Sequence, residues 1–126
     1  MFQFTKHYTV EEASRLLPQI RKWLDLINHC RHRIEQLEKR FNGFLEEGYD
    51  IGGDSVNQYI QMLAELRSVL LEFHKREIQI KDVERGLIDF PSLREGREIF
   101  LCWENGEETI EHWHELDAGF SGREPI

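Results

Sequence analysis

Two histidines near the carboxyl end of the sequence form the clearest chemical pattern in the chain. His112 and His114 are separated by one residue, so on a β-strand their side chains point to the same side, about 7 Å apart. Imidazoles at this spacing can hold one divalent metal ion such as zinc, and a carboxylate would complete a site with open positions. That carboxylate could come from Asp117, after a bend in the strand, or from Asp82, Glu84 or Asp89 elsewhere in the chain.

The same two histidines also fit a structural role. His112 can pack against Ile99 and Trp103, and His114 can hydrogen-bond a carboxylate, without any metal. We favour this interpretation because histidine pairs on strands are common and metal coordination requires strict ligand geometry. The pattern therefore establishes no cofactor, and a divalent metal such as zinc is the one candidate.

A second cluster consists of three arginines beside glycines, together with a nearby tryptophan: Arg85, Arg97, Arg123 and Trp113. Guanidinium groups next to glycines can bind a phosphate or a carboxylate through paired hydrogen bonds, which predicts a site for an anionic ligand. The alternative is that each arginine closes a loop by pairing with one of the many nearby acids, and we favour that alternative.

Other functional classes find little support in the sequence. Glycine-rich phosphate loops, nucleophile elbows and paired-cysteine zinc motifs do not occur. The net charge of −8 repels phosphate backbones, which argues against nucleic-acid binding. No apolar run is long enough to cross a membrane and the first residues do not resemble a signal peptide. Cys30 and Cys102 fit small buried residues, so we predict a cytoplasmic protein with reduced cysteines.

A long helical hairpin is predicted to position these residues. From Leu16 to Phe44, apolar residues alternate at spacings of four and three, which is the repeat of a coiled-coil seam. A matching stripe from Val56 to Ile80 can supply the partner helix. Thr9 followed by Glu12 makes a capping box at the start, and the glycines between Gly43 and Gly53 mark the turn. We therefore predict an antiparallel, coiled-coil-like helical hairpin over residues 9–82.

The remaining residues, 86–126, have the pattern of a small antiparallel sheet with a C-terminal loop. A short strand from Leu87 is predicted to stop at Pro91. Residues 97–104 and 107–115 flank Asn105-Gly106, a strong signal for a two-residue β-turn. This turn would place His114 opposite Arg97 and His112 opposite Ile99, with Phe100 and Cys102 on the other face.

The fold class that follows is α+β, with residues 1–126 forming a single domain. Two helices alone cannot bury the apolar residues that lie outside the seam, such as Leu24, Met62 and Val69, so these need either the C-terminal segment or a second copy of the protein. We therefore expect a homodimer that buries them in a four-helix bundle.

Several stretches of the sequence resemble a known family. They are Phe4-Thr5, Glu12-Ala13, Leu16-Leu17-Pro18, Lys81–Pro91, Gly96–Glu98, Leu101–Trp103, Gly106-Glu107 and Trp113–Arg123. With these the chain is similar to a small bacterial family known only as domain of unknown function 2203. The resemblance implies no activity, cofactor or catalytic residue, and it suggests that the family signature lies in the strand half.

Two functions are compatible with these patterns. The first is a non-catalytic cytoplasmic interaction or regulatory module, in which the sheet and the segment from Trp113 to Arg123 form a recognition surface for a protein or a small molecule. The alternative is a small metal-dependent enzyme, resembling a hydrolase, with His112 and His114 as ligands and Asp89 or Asp117 as third ligand or general base.

Overall fold

The computed structural model describes residues 1–48 and 52–126, and it confirms the predicted α+β class. Helix α1 spans Val10–Glu47 and helix α2 spans Gly53–Lys75. Five antiparallel strands follow in the order β1-β2-β3-β4-β5: Gln79–Asp82, Leu87–Arg94, Arg97–Glu104, His112–Glu115 and Glu124–Pro125. The 3₁₀ helix Phe120–Gly122 lies between the last two strands. Part of the predicted turn, residues 49–51, lies outside the described residues.

The predicted capping box at the start of α1 is confirmed. The Glu12 amide donates to Thr9 Oγ1 at 3.1 Å, and the Thr9 amide donates to the Glu12 carboxylate at 3.0 Å. The helix then continues through Pro18 for a total of 38 residues. No helix in the described parts of the chain combines the length and apolar character needed to span a membrane.

The chain divides into two compact units, and each of the two helices contributes residues to both. Residues Asp25–Leu71 form one unit, and Met1–Leu24 with Glu72–Ile126 form the other. Within the Asp25–Leu71 unit the two helices run antiparallel. The Tyr59 hydroxyl donates to Glu38 at 2.9 Å, and nearer the other end the Cys30 thiol lies 3.8 Å from Glu65.

The predicted seam is buried or half-buried in α1, and for α2 the prediction is correct only in part. In α1, Ile20, Ile27, Cys30 and Leu37 are all buried. In α2, Phe73 of the predicted stripe is buried, and so is Val69, which lies outside that stripe. Leu63 and Leu70, which belong to the predicted stripe from Val56 to Ile80, are 42% and 40% exposed. Leu24 and Val69 are thus buried within the chain, and the expectation that a dimer would cover them is wrong.

Helix α2 ends at Lys75, and the prediction that it continues to residue 82 is wrong. The Ile78 amide donates to Phe73 O at 3.1 Å and the Glu77 amide donates to His74 O at 3.0 Å. This is the Schellman pattern, in which one residue adopts the left-handed conformation; here that residue is Glu77, with a φ of 58°. Because glycine usually takes this position, the sequence gives no visible stop signal.

The chain after α2 forms β1, which pairs with β2 only as far as Asp89. Strand β2 continues past Pro91 to Arg94, so the prediction that Pro91 ends the strand is wrong. The Pro91 carbonyl accepts a hydrogen bond from the Tyr8 amide at 2.7 Å, on the edge that β1 has left. The missing N–H of proline is tolerated at such an edge position because no neighbouring strand requires it.

The pairing of β3 with β4 differs from the prediction by three positions: His114 lies opposite Phe100 and not opposite Arg97. The Glu107 amide does donate to Glu104 O at 3.0 Å, as a two-residue turn requires. The return bond is replaced, because the Glu104 amide donates to the Glu107 carboxylate at 2.7 Å. The Glu107 carbonyl instead accepts from the Trp103 indole at 2.9 Å. The chain then loops to His112 before β4 begins, and the odd shift moves both histidines to the face of Phe100 and Cys102.

Candidate functional site

Three side chains with metal-binding or proton-transfer chemistry meet on one face of the sheet: Asp89, Cys102 and His114. Asp89 on β2 lies directly opposite Cys102 on β3, and His114 on β4 lies opposite Phe100, two residues before Cys102. Directly opposed residues share a face, as do alternate residues of one strand, so all three project from the same face. The Asp89 and His114 side chains are each 2% exposed and Cys102 is 1% exposed.

The hydrogen bonds of His114 define its proton positions. Nδ1 lies 2.7 Å from the carbonyl oxygen of Glu115. A carbonyl can only accept, so Nδ1 carries a hydrogen and donates it. The other nitrogen, Nε2, lies 3.0 Å from Asp89 Oδ2. One further proton is therefore shared by the imidazole and the carboxyl group across this contact.

Burial shifts the pKa values of the two acids in this cluster. Loss of water raises the pKa of Asp89, and the nearby His114 offsets part of that rise. Burial, together with the neighbouring Asp89 charge, raises the pKa of the Cys102 thiol to about 12. Cys102 is therefore a protonated thiol at neutral pH and does not resemble the activated nucleophile of a cysteine enzyme. Asp89 Oδ1 is buried and accepts no hydrogen bond from the described residues.

The structure brings together only part of the predicted metal site. Asp89 and His114 are in contact, whereas Asp117 is exposed in the turn after β4. His112 lies on the same face as His114, but its Nδ1 is 3.8 Å from the Glu107 carboxylate. Cys102 completes the group, because its sulfur and the donor atoms of Asp89 and His114 lie within 4.8 Å of one another. We read Cys102 as a small apolar residue, and only the correct strand pairing reveals its neighbours.

The three candidate anion-binding arginines are each paired with a glutamate. Arg85 lies 2.5 Å from Glu104, and Arg97 lies 2.5 Å from Glu115. Arg123 makes a two-pronged pair with Glu107, with both distances at 3.0 Å. Arg85 and Arg123 also stack on the Phe120 ring, at 4.4 and 4.2 Å from its centroid. These contacts match the structural alternative, in which arginines close loops by pairing with acids.

Arg94, which no sequence pattern singles out, lies next to Trp113 on the opposite face of the sheet. Its guanidinium carbon is 4.5 Å from the centroid of the Trp113 ring. Within residues 1–48 and 52–126 no carboxylate forms an ion pair with Arg94. Arg97 lies 6.0 Å from the same ring but is paired with Glu115. Arg94 is thus a cation beside an aromatic surface without an acidic partner in the described chain.

A groove of about 230 Å³ lies beside Arg94 and Trp113. Its walls come from the start of α1, from β2, β3 and β4, and from the last residue: Thr9, Val10, Ser92, Leu93, Arg94, Ile99, Leu101, Trp113 and Ile126. Apart from Arg94 the lining is largely apolar, with hydroxyl groups from Thr9 and Ser92. The Ser92 hydroxyl already donates to Tyr8 O at 2.5 Å. The groove can therefore receive an apolar group whose charged end contacts the guanidinium.

A family model described as "Uncharacterized conserved protein (DUF2203)" matches residues 6–126. No curated protein and no solved structure matches the chain.

Proposed function

Since the chain belongs to the DUF2203 family of uncharacterized conserved proteins, whose description names no activity, we propose a function from its surface chemistry. The protein acts as a non-catalytic cytoplasmic recognition module that binds a carboxylate attached to an apolar group. The binding site is the groove beside Trp113. The observation that carries this proposal is Arg94, whose guanidinium stacks on Trp113 without an ion-pair partner among the described residues.

Two properties of the groove and the net charge of the chain support this choice of ligand. A guanidinium pairs with a carboxylate through two parallel hydrogen bonds, and an adjacent aromatic ring strengthens the site for a ligand with a flat apolar part. The volume of about 230 Å³ suits a group the size of one amino-acid side chain. The net charge of −8 disfavours a polyanion such as nucleic acid and leaves a single carboxylate as the better match. The cytoplasmic location rests on the two free, buried cysteines.

The test is an NMR titration of the labelled protein with matched ligand pairs. Phenylacetate and phenylacetamide differ only in a terminal carboxylate against a neutral amide, and a short peptide ending in phenylalanine can be compared with its C-terminal amide. We expect the charged member of at least one pair to shift the Trp113 indole signal. A response to the phenylacetate pair alone would indicate a free small molecule as the ligand, and a response to the peptide pair would indicate a peptide C-terminus.

Arg94→Ala should weaken this binding by about 10-fold or more, because a charged hydrogen bond is lost. Arg85→Ala is the matched control, since Arg85 is paired with Glu104 and does not line the groove. Equal binding of the acids and amides, or equal effects of the two substitutions, would contradict the proposal.

The proposal includes homodimer formation through α2. An apolar stripe on this helix is exposed, with Val56 at 36%, Ile60 at 58%, Leu63 at 42% and Leu70 at 40%. The spacing of four, three and seven is a coiled-coil repeat, and a second copy offers the same stripe as a self-complementary surface. Leu63→Glu should convert a dimer to a monomer in light-scattering measurements, whereas Gln61→Glu adds the same charge off the stripe. A monomeric parent protein would rule out this part of the proposal.

We do not propose the metal-dependent hydrolase. Such an enzyme needs a metal that a substrate can reach, and the three donor side chains that lie together are at most 2% exposed.

A further inference from the structure

We propose that Asp89, Cys102 and His114 form an internal binding site for one divalent metal ion of the zinc type. The site is built on three neighbouring strands of one sheet, β2, β3 and β4, so their pairing fixes the relative positions of the donors. It is independent of the groove beside Trp113, which lies on the other face. Neither inference requires the other.

The distances suit such an ion. The thiol sulfur, a carboxylate oxygen and an imidazole nitrogen lie within 4.8 Å of one another. In a tetrahedral zinc site, with bonds of about 2.0–2.3 Å, neighbouring donor atoms are about 3.3–3.8 Å apart. A contraction of at most about 1.0–1.5 Å, small enough for side-chain rotation, would bring the three donors onto one ion.

The surroundings of the cluster also suit a metal. The Nδ1–H of His114 donates to Glu115 O at 2.7 Å, and this bond orients the ring with Nε2 toward Asp89. Metal-binding histidines are typically held in this way, by a hydrogen bond from the nitrogen that does not bind the metal. Asp89 Oδ1 is a buried acceptor without a hydrogen-bond partner among the described residues. A cation at the cluster would satisfy it.

The exchange of protons for metal balances. Without metal, the cluster holds the hydrogen on the Cys102 sulfur and the proton shared by His114 Nε2 and Asp89. A divalent ion that binds the thiolate, the carboxylate and the free Nε2 displaces both protons to solvent. The net charge of the buried cluster is the same before and after. Binding therefore leaves no uncompensated charge in the interior.

The chemistry of the donors selects the ion. Thiolate and imidazole favour zinc and similar transition metals, and they disfavour magnesium and calcium, which prefer oxygen donors. Two cations lie near the cluster. Arg123, which is paired with Glu107, lowers the pKa of the Cys102 thiol. Lys81, which is exposed, lowers the pKa of Asp89. Their repulsion opposes any divalent ion, so only an ion that binds thiolate strongly overcomes it.

Cobalt(II) provides a direct test, because a cobalt–thiolate bond gives an intense near-ultraviolet charge-transfer band. The full-length protein, treated with chelator and kept reduced, is titrated with cobalt and then with zinc. We expect the band to saturate at one cobalt per chain and to disappear when zinc displaces cobalt. A folded protein that develops no such band, or whose band requires more than one equivalent, would overturn the proposal.

Variants identify the sulfur. Cys102→Ser should abolish the band and weaken zinc binding by on the order of 100-fold or more, and Asp89→Asn should weaken it while keeping the band. Cys30→Ser, which alters the other buried free cysteine, is the matched control and should bind as the parent does. Circular dichroism verifies that each variant is folded. The cobalt titration of the parent protein tests for the site without any variant, so its result holds even if one of the variants fails to fold. A band that persists in Cys102→Ser and disappears in Cys30→Ser would also refute the assignment.

Discussion

His114 and Asp89 form a buried imidazole–carboxyl contact, with 3.0 Å between Nε2 and Oδ2 and 2% exposure of each side chain. The two residues are 25 positions apart in the sequence and lie on β4 and β2. A pair that shares a proton in this way carries no net charge into the interior. Each residue therefore makes the burial of the other tolerable.

Removing one member of this pair should destabilise the fold strongly. Asp89→Ala leaves His114 buried without its partner, and we expect a loss of about 3–5 kcal/mol in the free energy of unfolding. Urea denaturation of the metal-free protein measures it. Asp117→Ala, which removes an exposed carboxylate, should change stability by less than about 0.5 kcal/mol. Similar losses in the two variants would show that the buried contact contributes little.

Acid should release the N-terminal segment from Glu98. The Glu98 carboxylate accepts hydrogen bonds from the amides of Gln3 and Phe4 at 2.7 and 3.0 Å and contacts His7 Nε2 at 2.8 Å. Burial raises the pKa of Glu98, but these hydrogen bonds lower it more, so the net pKa is below the ordinary 4.5. The unfolded state therefore takes up the proton first as the pH falls. The stabilisation is complete above pH 4.5 and is lost as the pH falls through the lower, folded-state pKa.

Amide hydrogen exchange at Gln3 and Phe4 follows this release. Exchange should accelerate, relative to the intrinsic rate, as the solution is acidified through that range. In Glu98→Gln the segment should already be loosely held at neutral pH, without this acid transition. An identical pH dependence in the variant and the parent would assign the effect to another group.

Glycine should be required at position 86 for two reasons and at position 96 for one. Both residues have a positive φ, 66° and 79°. A Cβ at Gly86 would lie 2.5 Å from Asn105 Cβ, whereas a Cβ at Gly96 would meet nothing within 4 Å. Gly96→Ala should therefore cost about 1–2 kcal/mol, the penalty of the left-handed conformation alone. Gly86→Ala should cost clearly more in denaturant unfolding. Equal costs would mean that the Asn105 turn can move aside without loss.

Glu77 should have opposing effects on the helix end that it forms. Its φ of 58° is unfavourable for a residue with a side chain. Its carboxylate also accepts from the Thr5 amide at 3.0 Å and from the Lys6 amide at 3.1 Å. Glu77→Gly should relieve the backbone and lose these bonds, whereas Glu77→Ala loses the bonds and keeps the strain. We expect Glu77→Ala to be less stable than Glu77→Gly by about 1 kcal/mol in thermal unfolding. The reverse order would contradict a left-handed helix end.

Local sequence patterns predicted most of the two helices. The prediction of the helix end and of the strand pairing failed where a glutamate takes a role that usually belongs to glycine or to the backbone. The spacing of apolar residues identified α1 because its buried face follows one period throughout, and Thr9 and Glu12 marked its start. Glu77 and Glu107 both have structural roles that their residue type does not indicate. Glu77 takes a glycine position at the end of α2, and the Glu107 carboxylate replaces a backbone acceptor at the turn after β3.

The altered turn at Glu107 determined which side chains come together in the candidate site. The histidines and Asp89 were identifiable by residue type alone. Their grouping with Cys102 depends on strand pairing, and a shift of three positions changed which side chains share a face. Arg94 was missed for a different reason, because its lack of an acidic partner is a property of its surroundings and not of its sequence neighbours.

The contact between Gln3 and Glu98, which are 95 residues apart, has a consequence for synthesis on the ribosome. Within the Asp25–Leu71 unit the helices are stabilised by neighbours that emerge soon after them, and this part can begin to form while the chain is still growing. The segment around Gln3 has no Glu98 to bind until the chain has been synthesised through residue 98. During translation, therefore, the aromatic ring of Phe4 remains available to chaperones until Phe100, against which it packs, has been synthesised.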